Sequence, residues 1–273
     1  MNQSTTEAPG NAPLSKPLLA LNGFSKRFGP VEALKDVDFE LRTGEVVGLV
    51  GDNGAGKSTL VKAIAGVQPA DEGEARFEGQ TVRLDSPQAA TGLGVATVYQ
   101  DLALCENLDI VANLFLGQEE ANTLPGVNVL DETAMEQKSM ELLGSLGVTT
   151  IRSVRTDVER LSGGQRQAVA IARSLLGDPR VVLLDEPTAA LGVVQTRQVL
   201  ELIKRLRERS LGVVVISHNL ADVFQVADRV AVLRLGRMAA TFEVGETSQE
   251  AIVAAITGAE FGTEERPTEE EPL

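Results

Sequence analysis

The sequence predicts an α/β fold built around a mostly parallel sheet. Short apolar runs rich in valine, isoleucine and leucine recur along the chain, and segments with helical spacing follow most of them. Strands of continuous apolar residues are typical of parallel sheets that are covered on both faces. The 273 residues and a hydrophobic content of 43% suffice for one large core. No segment repeats at a fixed period, so a second copy of this core is not expected.

Five strands and four helices carry this prediction, in chain order. The expected strands are VVGLV (46–50), VATVY (95–99), VVLLD (181–185), VVVIS (213–217) and RVAVLRLG (229–236). The expected helices are STLVKAIAGV (58–67), DETAMEQKSMELLGSLG (131–147), QTRQVLELIKRLRER (195–209) and NLADVFQVA (219–227). Strand signals are sparse over residues 86–160, which we interpret as a helical lobe inserted into the sheet domain.

Both ends of the chain differ in composition from this core. Residues 1–17 and 262–273 are expected to be disordered, which leaves one domain over 18–261. The C-terminal tail holds five Glu and one Arg, so it carries −4 of the net charge of −14. An acidic chain without clustered Lys and Arg is a poor partner for nucleic acid or anionic lipid, and no nucleic-acid partner is expected.

The single cysteine, Cys105, excludes an internal disulfide and fits a reducing compartment. The first residues resemble neither an apolar leader nor a cleavage site, and no apolar run approaches the roughly 20 residues that span a bilayer. We therefore expect a cytoplasmic protein whose contact with a membrane comes through a partner.

A phosphate-binding loop is predicted by GDNGAGKST, which fits the pattern G-x-x-x-x-G-K-[ST] between a strand and a helix. Its backbone N–H groups and the helix N-terminus would bind phosphate oxygens. Lys57 would reach the β- and γ-phosphates, and Ser58 would ligate Mg²⁺. The alternative is a glycine-rich turn without chemistry. The predicted nucleotide-binding residues are Gly51, Asp52, Asn53, Gly54, Ala55, Gly56, Lys57, Ser58 and Thr59.

Two adjacent carboxylates end the strand VVLLD. At the carboxyl edge of an open α/β sheet, Asp185 can hold Mg²⁺, and Glu186 can orient or deprotonate an attacking water. An acidic helix cap is the alternative for this pair alone. His218, the only histidine, and Gln100 follow two further strands. They are predicted at the same edge, near the γ-phosphate and the metal respectively.

The run LSGGQRQAVAIARSLL, residues 161–176, predicts a second anion site at the start of a helix. A capped helix would explain Ser162 but not the whole run. One pocket cannot use both this site and the phosphate loop unless a second molecule supplies one of them.

The sequence resembles the ATP-binding cassette (ABC) ATPases from about Leu18 to about Glu260, with the motifs in the family order. The resemblance implies a P-loop NTPase core, an N-terminal antiparallel β portion and an inserted helical lobe. It implies that Phe28 stacks on adenine, although this side chain could equally belong to a core. It also implies that Ser162, Gly163, Gly164 and Gln165 bind ATP in trans within a homodimer of cassettes. Gln100, Asp185 and Ser58 would hold Mg²⁺, while Glu186 and His218 would be catalytic.

Gly192 departs from the family pattern, in which an Asp usually follows the A-L pair of EPTAAL. Glycine removes a carboxylate and permits positive φ, so we expect an altered contact across the dimer and intact hydrolysis.

EPTAAL, DSPQAATGLGVATVYQDLALCENLDIVANLFLG and ISHNLADVFQVADRVAVLRLGR resemble segments of the ATPases that drive ribose, xylose or fructose uptake. The resemblance implies transmembrane permease subunits and, indirectly, an extracytoplasmic sugar-binding protein as partners, with the chain on the inner face of the membrane. An ABC ATPase for another substrate, a repair, ribosome or assembly factor and a small-molecule kinase are the alternatives, but a kinase has no use for LSGGQ.

Overall fold

A computed structural model describes residues 16–124 and 127–259, so the predicted disorder at 1–15 and 262–273 lies outside the described residues. The strands are β1 (Leu19–Phe28), β2 (Val31–Leu41), β3 (Val46–Val50), β4 (Glu72–Phe77), β5 (Gln80–Val82), β6 (Val95–Val98), β7 (Ala121–Leu124), β8 (Val127–Leu130), β9 (Val181–Asp185), β10 (Gly212–Ile216), β11 (Arg229–Arg234) and β12 (Arg237–Glu243). The helices are α1 (Lys57–Ile64), α2 (Pro87–Gly92), α3 (Ile110–Phe115), α4 (Glu132–Ser145), α5 (Gly163–Leu175), α6 (Val193–Glu208), α7 (Leu220–Val226) and α8 (Gln249–Thr257).

The central sheet has six strands in the order β12-β11-β3-β10-β9-β6. All neighbours from β11 to β6 are parallel, and only β12 is antiparallel. A second sheet, β2-β1-β4-β5, is antiparallel throughout. The predicted α/β class, with a mostly parallel sheet and an N-terminal antiparallel portion, is confirmed.

Each face of the central sheet packs into its own hydrophobic core. Val46, Val182 and Val213 face one way, toward a core that also contains residues of α3 to α7. Val47, Val181 and Val214 face the other way, toward a core shared with α1 and the antiparallel sheet. Burial on both faces is why these strands read as continuous apolar runs in the sequence.

The segment predicted as a helical lobe contains more than helices. Within 86–160, β6 pairs with β9 in the central sheet, and β7 and β8 form an antiparallel hairpin that the sequence analysis did not predict. Helices α2, α3 and α4 also lie within this region. The division of the chain into lobe and core domain stays a prediction.

A buried ion pair of the central sheet lies where the antiparallel sheet meets it. Arg229, at the start of β11, contacts Glu45 just before β3, with Nε–Oε1 at 2.5 Å and Nη2–Oε2 at 3.1 Å. Nη2 also donates to the Glu40 carbonyl of β2 at 2.9 Å. Both residues are buried, with side chains 11% and 9% exposed for Arg229 and Glu45, so this bidentate contact is largely shielded from solvent.

Among the described residues, no helix is both long and apolar enough to cross a membrane.

Candidate nucleotide site

Four neighbouring parallel strands deliver the predicted site residues to one edge of the central sheet. In spatial order, the phosphate loop follows β3, His218 follows β10, Asp185 ends β9, and Gln100 lies two residues after β6. Parallel strands place their carboxyl ends on the same side, which is where open α/β sheets bind ligands. The topology therefore brings together residues that lie up to 167 positions apart in the sequence.

The phosphate loop has the backbone that its glycines predict. Gly56 has φ of 108°, and a Cβ at this position would lie 2.6 Å from the Ala33 carbonyl oxygen. Only glycine adopts this conformation and this close approach without strain. The packing of the loop against β2 therefore requires glycine at this position.

The start of α1 is open to an anion. Gly56 occupies the N-cap and provides no side-chain hydrogen bond, and the first-turn N–H groups of an α-helix have no intrahelical acceptor. Lys57 Nζ donates to the carbonyl oxygens of Gly51 at 2.6 Å and Asp52 at 3.0 Å. The lysine is therefore held at the loop by contacts that a phosphate group can replace.

A cleft of about 570 Å³ contains most of the predicted residues. Its walls include Asn53 to Thr59, Gln100, Asp185 and Glu186. Gly51, Asp52 and His218 are not part of its lining. Besides Ile216 at the end of β10, the sequence analysis missed six lining residues, which are Val31, Glu32, Ala33, Lys35, Leu235 and Gly236.

These missed residues come from two segments that meet only in the folded chain. The Lys35 N–H donates to the Gly236 carbonyl at 2.7 Å, and the Gly236 N–H donates to the Ala55 carbonyl at 2.9 Å. The contacts join β2, the β11–β12 turn and the phosphate loop. No motif in the sequence could have indicated them, because they depend on tertiary pairing of distant segments.

The two carboxylates lie in different electrostatic surroundings. Burial raises the pKa of Asp185 above its usual range, and the charge of Glu186 raises it further, while Lys62 and Lys57 act in the opposite direction. Glu186 has φ of 50°, in the left-handed region that few non-glycine residues adopt. Strained backbone of this kind costs on the order of 1–3 kcal/mol and clusters at functional sites.

His218 contacts the second carboxylate directly. Its Nδ1 lies 2.8 Å from Glu186 Oε2, within hydrogen-bond distance. The imidazole is 72% exposed, whereas the Glu186 side chain is only 16% exposed. An exposed ring that holds a shielded carboxylate can fix the orientation of that carboxylate toward a water or a phosphate.

Phe28 lies beside the cleft but does not line it. It pairs with Val31, which is in the cleft wall, across the β1–β2 turn. The ring is 43% exposed, and Lys26 Nζ lies 5.7 Å from its centroid. The side chain is thus available at the surface, and the alternative that it belongs to a core does not fit this exposure.

The LSGGQ segment lies away from the cleft. Ser162 and Gln165 form a reciprocal capping box at the start of α5: Ser162 Oγ accepts from the Gln165 N–H at 3.3 Å, and Gln165 Oε1 accepts from the Ser162 N–H at 2.9 Å. A Cβ on Gly164 would lie 3.0 Å from the Gln195 Cβ, so α6 packs closely on this position. None of Ser162, Gly163, Gly164 and Gln165 lines the cleft that holds the phosphate loop.

Gly192 forms the N-cap of α6 with φ of −73° and ψ of 162°. Any residue can adopt this extended conformation, so the positive φ that glycine permits is not used here. Ala190, two residues earlier, has φ of 59° instead. The glycine therefore differs from an Asp through the missing carboxylate alone.

The family model described as ABC transporter matches residues 34–189, which is more than half of the chain. The chain belongs to the ABC transporter family. It is an ATPase that binds nucleotide, as the resemblance in its motifs implied.

Two relatives match this cassette over nearly their whole length. The fructose import ATP-binding protein FrcA of Rhizobium meliloti is 47% identical, over 89% of this chain and 95% of the relative. The xylose/arabinose import ATP-binding protein XylG of Sulfolobus acidocaldarius is 45% identical, over 90% of this chain and 96% of the relative. A putative ribose/galactose/methyl galactoside import ATP-binding protein of Burkholderia lata is 41% identical, but the match covers only 49% of its length.

Solved structures of cassettes share the fold. An ATP-binding cassette of an ABC transporter in its ADP conformation aligns with a TM-score of 0.74 and 24% identity, over 90% of this chain and 96% of that one. A dimeric cassette in a post-hydrolysis state with ADP and Pi aligns with a TM-score of 0.68 and 25% identity, over 83% of this chain and 98% of that one. The predicted P-loop NTPase core is thereby confirmed.

Proposed function

We propose that this cassette is the ATP-hydrolysing subunit of an importer that takes up a monosaccharide through partner permease subunits. The observation that carries the proposal is the full-length similarity to import proteins for fructose and for xylose/arabinose. The match spans 95% and 96% of these two relatives, and the two ATP sites are proposed to come from a homodimer of cassettes.

Hydrolysis is assigned to residues at the edge of the central sheet. The loop from Gly51 to Thr59 binds the phosphates, and Lys57 exchanges its contacts with loop carbonyls for the β- and γ-phosphates. Glu186 accepts a proton from the attacking water or orients it, and His218 holds that carboxylate and contacts the γ-phosphate. This division of roles suits phosphoryl transfer, in which positioning and charge stabilisation dominate. Phe28 is proposed to stack on adenine.

Magnesium is the metal that these residues fit. Ser58, Asp185 and Gln100 all line the cleft and offer the hydroxyl, carboxylate and amide oxygens that Mg²⁺ takes as ligands. When bound, the ion neutralises charge on the β- and γ-phosphates. Asp185 needs to be ionised to serve it, and Lys57 and Lys62 favour that ionised form.

The signature residues Ser162 to Gln165 are proposed to complete the ATP site of a partner cassette. The proposal is supported by their distance from this chain's own cleft and by the capped start of α5, whose N-terminus suits an anion. A cassette of the same fold has been solved as a dimer with ADP and Pi. ATP would then favour the closed dimer, and hydrolysis would release it.

Permease subunits are proposed to dock near Gln100. A cavity of about 500 Å³ lies there, between β6, α5 and the segment that follows Gln100. Its apolar lining includes Val67, Leu102 and Leu116. A membrane partner at this surface would hold the chain on the inner face of the cell membrane. The sugar would be delivered by an extracytoplasmic binding protein, and no nucleic acid takes part.

The first test is affinity capture of the chain from gently solubilised native membranes, with mass spectrometry of the captured proteins. The expected result is a multi-span permease together with a binding protein, which is then screened against pentoses and hexoses. Capture of soluble proteins or nucleic acid alone, from a chain that still hydrolyses ATP, would contradict the import function and leave the ATPase assignment intact.

A further inference from the structure

The segment that follows Gln100 is held by side chains from two helices. At its far end, Asn113 of α3 is fully buried and makes four hydrogen bonds. Its Oδ1 accepts from the Cys105 N–H, and its Nδ2 donates to the carbonyls of Cys105, Leu108 and Asp109. The end near Gln100 is held by a different residue from a different helix.

That residue is Arg173 of α5. Its Nη1 donates to the Ala103 carbonyl and its Nη2 to the Leu102 carbonyl, both at 2.8 Å. The planar guanidinium donates from two separate nitrogens held in a fixed plane, a geometry that the single nitrogen of a lysine ammonium does not reproduce. The two acceptors lie two and three residues after Gln100. We call these two hydrogen bonds the clamp, and they act close to the proposed metal ligand.

The clamp is maintained at an energetic cost. Arg173 is half-buried, and burial lowers the pKa of its guanidinium because the charged form loses solvent. None of the ion pairs among residues 16–124 and 127–259 includes this guanidinium. Ala103 has φ of 49°, a left-handed conformation that is unfavourable for alanine. Neither feature stabilises the hydrophobic core, which indicates a role in positioning the segment.

Arg173 lies on α5, the helix that begins with the signature residues. Ser162 caps α5, and Arg173 follows 11 residues later on the same continuous helix. An α-helix transmits displacement along its axis as a rigid element. The side chain of Arg173 therefore links the position of the Gln100 segment to the position of helix α5.

We propose that Arg173, which lies on helix α5, is a positioning residue that holds Gln100 in place to contact the complex of metal and nucleotide. The inference rests on the proposed role of Gln100 as a Mg²⁺ ligand. Arg173 touches neither nucleotide nor metal: it fixes the backbone at Leu102 and Ala103, and thereby the position of Gln100. Movement of α5 and movement of Gln100 then occur together.

Equilibrium binding of a fluorescent ATP analogue to the purified full chain tests this role, measured once with Mg²⁺ and once with EDTA. For Arg173→Met, affinity in EDTA stays within about twofold of the native value, because the phosphate loop is untouched. The gain in affinity from Mg²⁺ falls by about tenfold, the lower end of the range for residues that orient metal ligands. Unchanged binding in EDTA also reports that the variant is folded.

Two further variants are compared with Arg173→Met. Ser174→Ala alters the next residue of α5, whose Oγ bonds only its own helix, and is expected to behave like the native chain. Arg173→Lys keeps the charge but not the bidentate contact, and is expected to lose part of the Mg²⁺ effect. If Arg173→Met, or Arg173→Lys should Met fail to fold, retains the full Mg²⁺ effect, the proposal is overturned.

A double variant separates positioning from an independent contribution. If Arg173 acts through Gln100, Gln100→Ala/Arg173→Met loses no more of the Mg²⁺ effect than Gln100→Ala alone. Losses that multiply overturn the proposal, and so does a Gln100→Ala variant with a native Mg²⁺ effect. Both outcomes leave nucleotide binding in place, whereas failure of the native chain to bind the analogue would contradict the proposed function itself.

Discussion

At the scale of single residues, the site places Asp185 in surroundings that disfavour its ionised form, and it holds Glu186 in an unfavourable backbone conformation. Asp185 is partly buried next to a second negative charge, and Glu186 has a left-handed backbone conformation. Lys57 and Lys62 offset part of the charge repulsion. Such local costs are expected where function rather than stability has selected the residue.

Asp185→Asn is predicted to raise the free energy of unfolding of the nucleotide-free protein at neutral pH. The pKa of Asp185 is raised in the folded state, so folding disfavours its ionised form. The contribution of Asp185 to native stability is therefore most favourable below the ordinary pKa of an aspartate, about 3.9, and is lost as the pH rises through the raised pKa. The Asp185→Asn variant lacks this loss of stability, because asparagine does not ionise.

Urea unfolding of both proteins between pH 4 and pH 8, without Mg²⁺ and nucleotide, measures the effect. The advantage of the variant should be largest at the neutral end and shrink toward pH 4. A variant that is less stable than the native chain at neutral pH, or an advantage that grows on acidification, would show that Asp185 is not destabilising in its ionised form.

At the scale of elements, the sequence analysis predicted the strands that have a distinct local pattern of apolar residues. It did not predict features that depend on the pairing of separate segments. The strands β3, β9 and β10 were predicted because both of their faces are buried, which leaves continuous apolar runs. The hairpin of β7 and β8 was missed because its strands have four residues each and pair only with each other. In the cleft, the motif residues were predicted, but Ala33 and Gly236 were not, since their contact arises from tertiary packing.

The loop before α6 shows the same limit at one position. The motif comparison identified Gly192 as unusual and pointed to positive φ, but only the structure shows that Ala190 adopts the left-handed conformation instead. A Cβ on Gly192 would meet nothing closer than the Gln195 Oε1, at 3.9 Å. An aspartate therefore fits this N-cap without displacing its neighbours.

Gly192→Asp is predicted to change the cooperativity or the rate of ATP turnover while leaving the fold intact. Asp and Gly differ by only a few tenths of a kcal/mol as N-caps, so the free energy of unfolding should change by less than about 0.5 kcal/mol. Steady-state ATPase measurements over a range of ATP concentrations, together with urea unfolding, check both parts. Native turnover with native cooperativity would contradict an altered contact between the two sites.

At the scale of the whole molecule, a hydrogen bond from a shielded ion pair joins the two sheets, in addition to their shared core. Arg229 and Glu45 connect β11 to the start of β3, and the Glu40 carbonyl adds the antiparallel sheet to the contact. The phosphate loop follows β3 directly. The pair therefore helps to fix the sheet that carries the loop.

Removing one partner of this ion pair is predicted to lower the free energy of unfolding more than replacing both partners does. Arg229→Met leaves a buried Glu45 carboxylate without its main partner, and should cost about 3–5 kcal/mol of unfolding free energy. Glu45→Leu/Arg229→Met removes both charges and should recover much of that loss. Chemical denaturation of the three proteins measures it; a double variant at least as unstable as the single one would contradict this account of the pair.

We propose that ATP binds to the phosphate loop of one cassette and that the signature residues of a second cassette close over it. Sedimentation of the Glu186→Gln variant with Mg²⁺ and ATP tests this arrangement, because the substitution is expected to preserve binding and stop turnover. The expected result is a shift from the 28.9 kDa chain to a species of about twice that mass. Adding Ser162→Arg should leave ATP bound but abolish the dimer, and adding Lys57→Ala should abolish both. A Glu186→Gln chain that binds ATP and stays monomeric, or a dimer indifferent to Ser162→Arg, would show that the signature residues do not complete the ATP site of a partner.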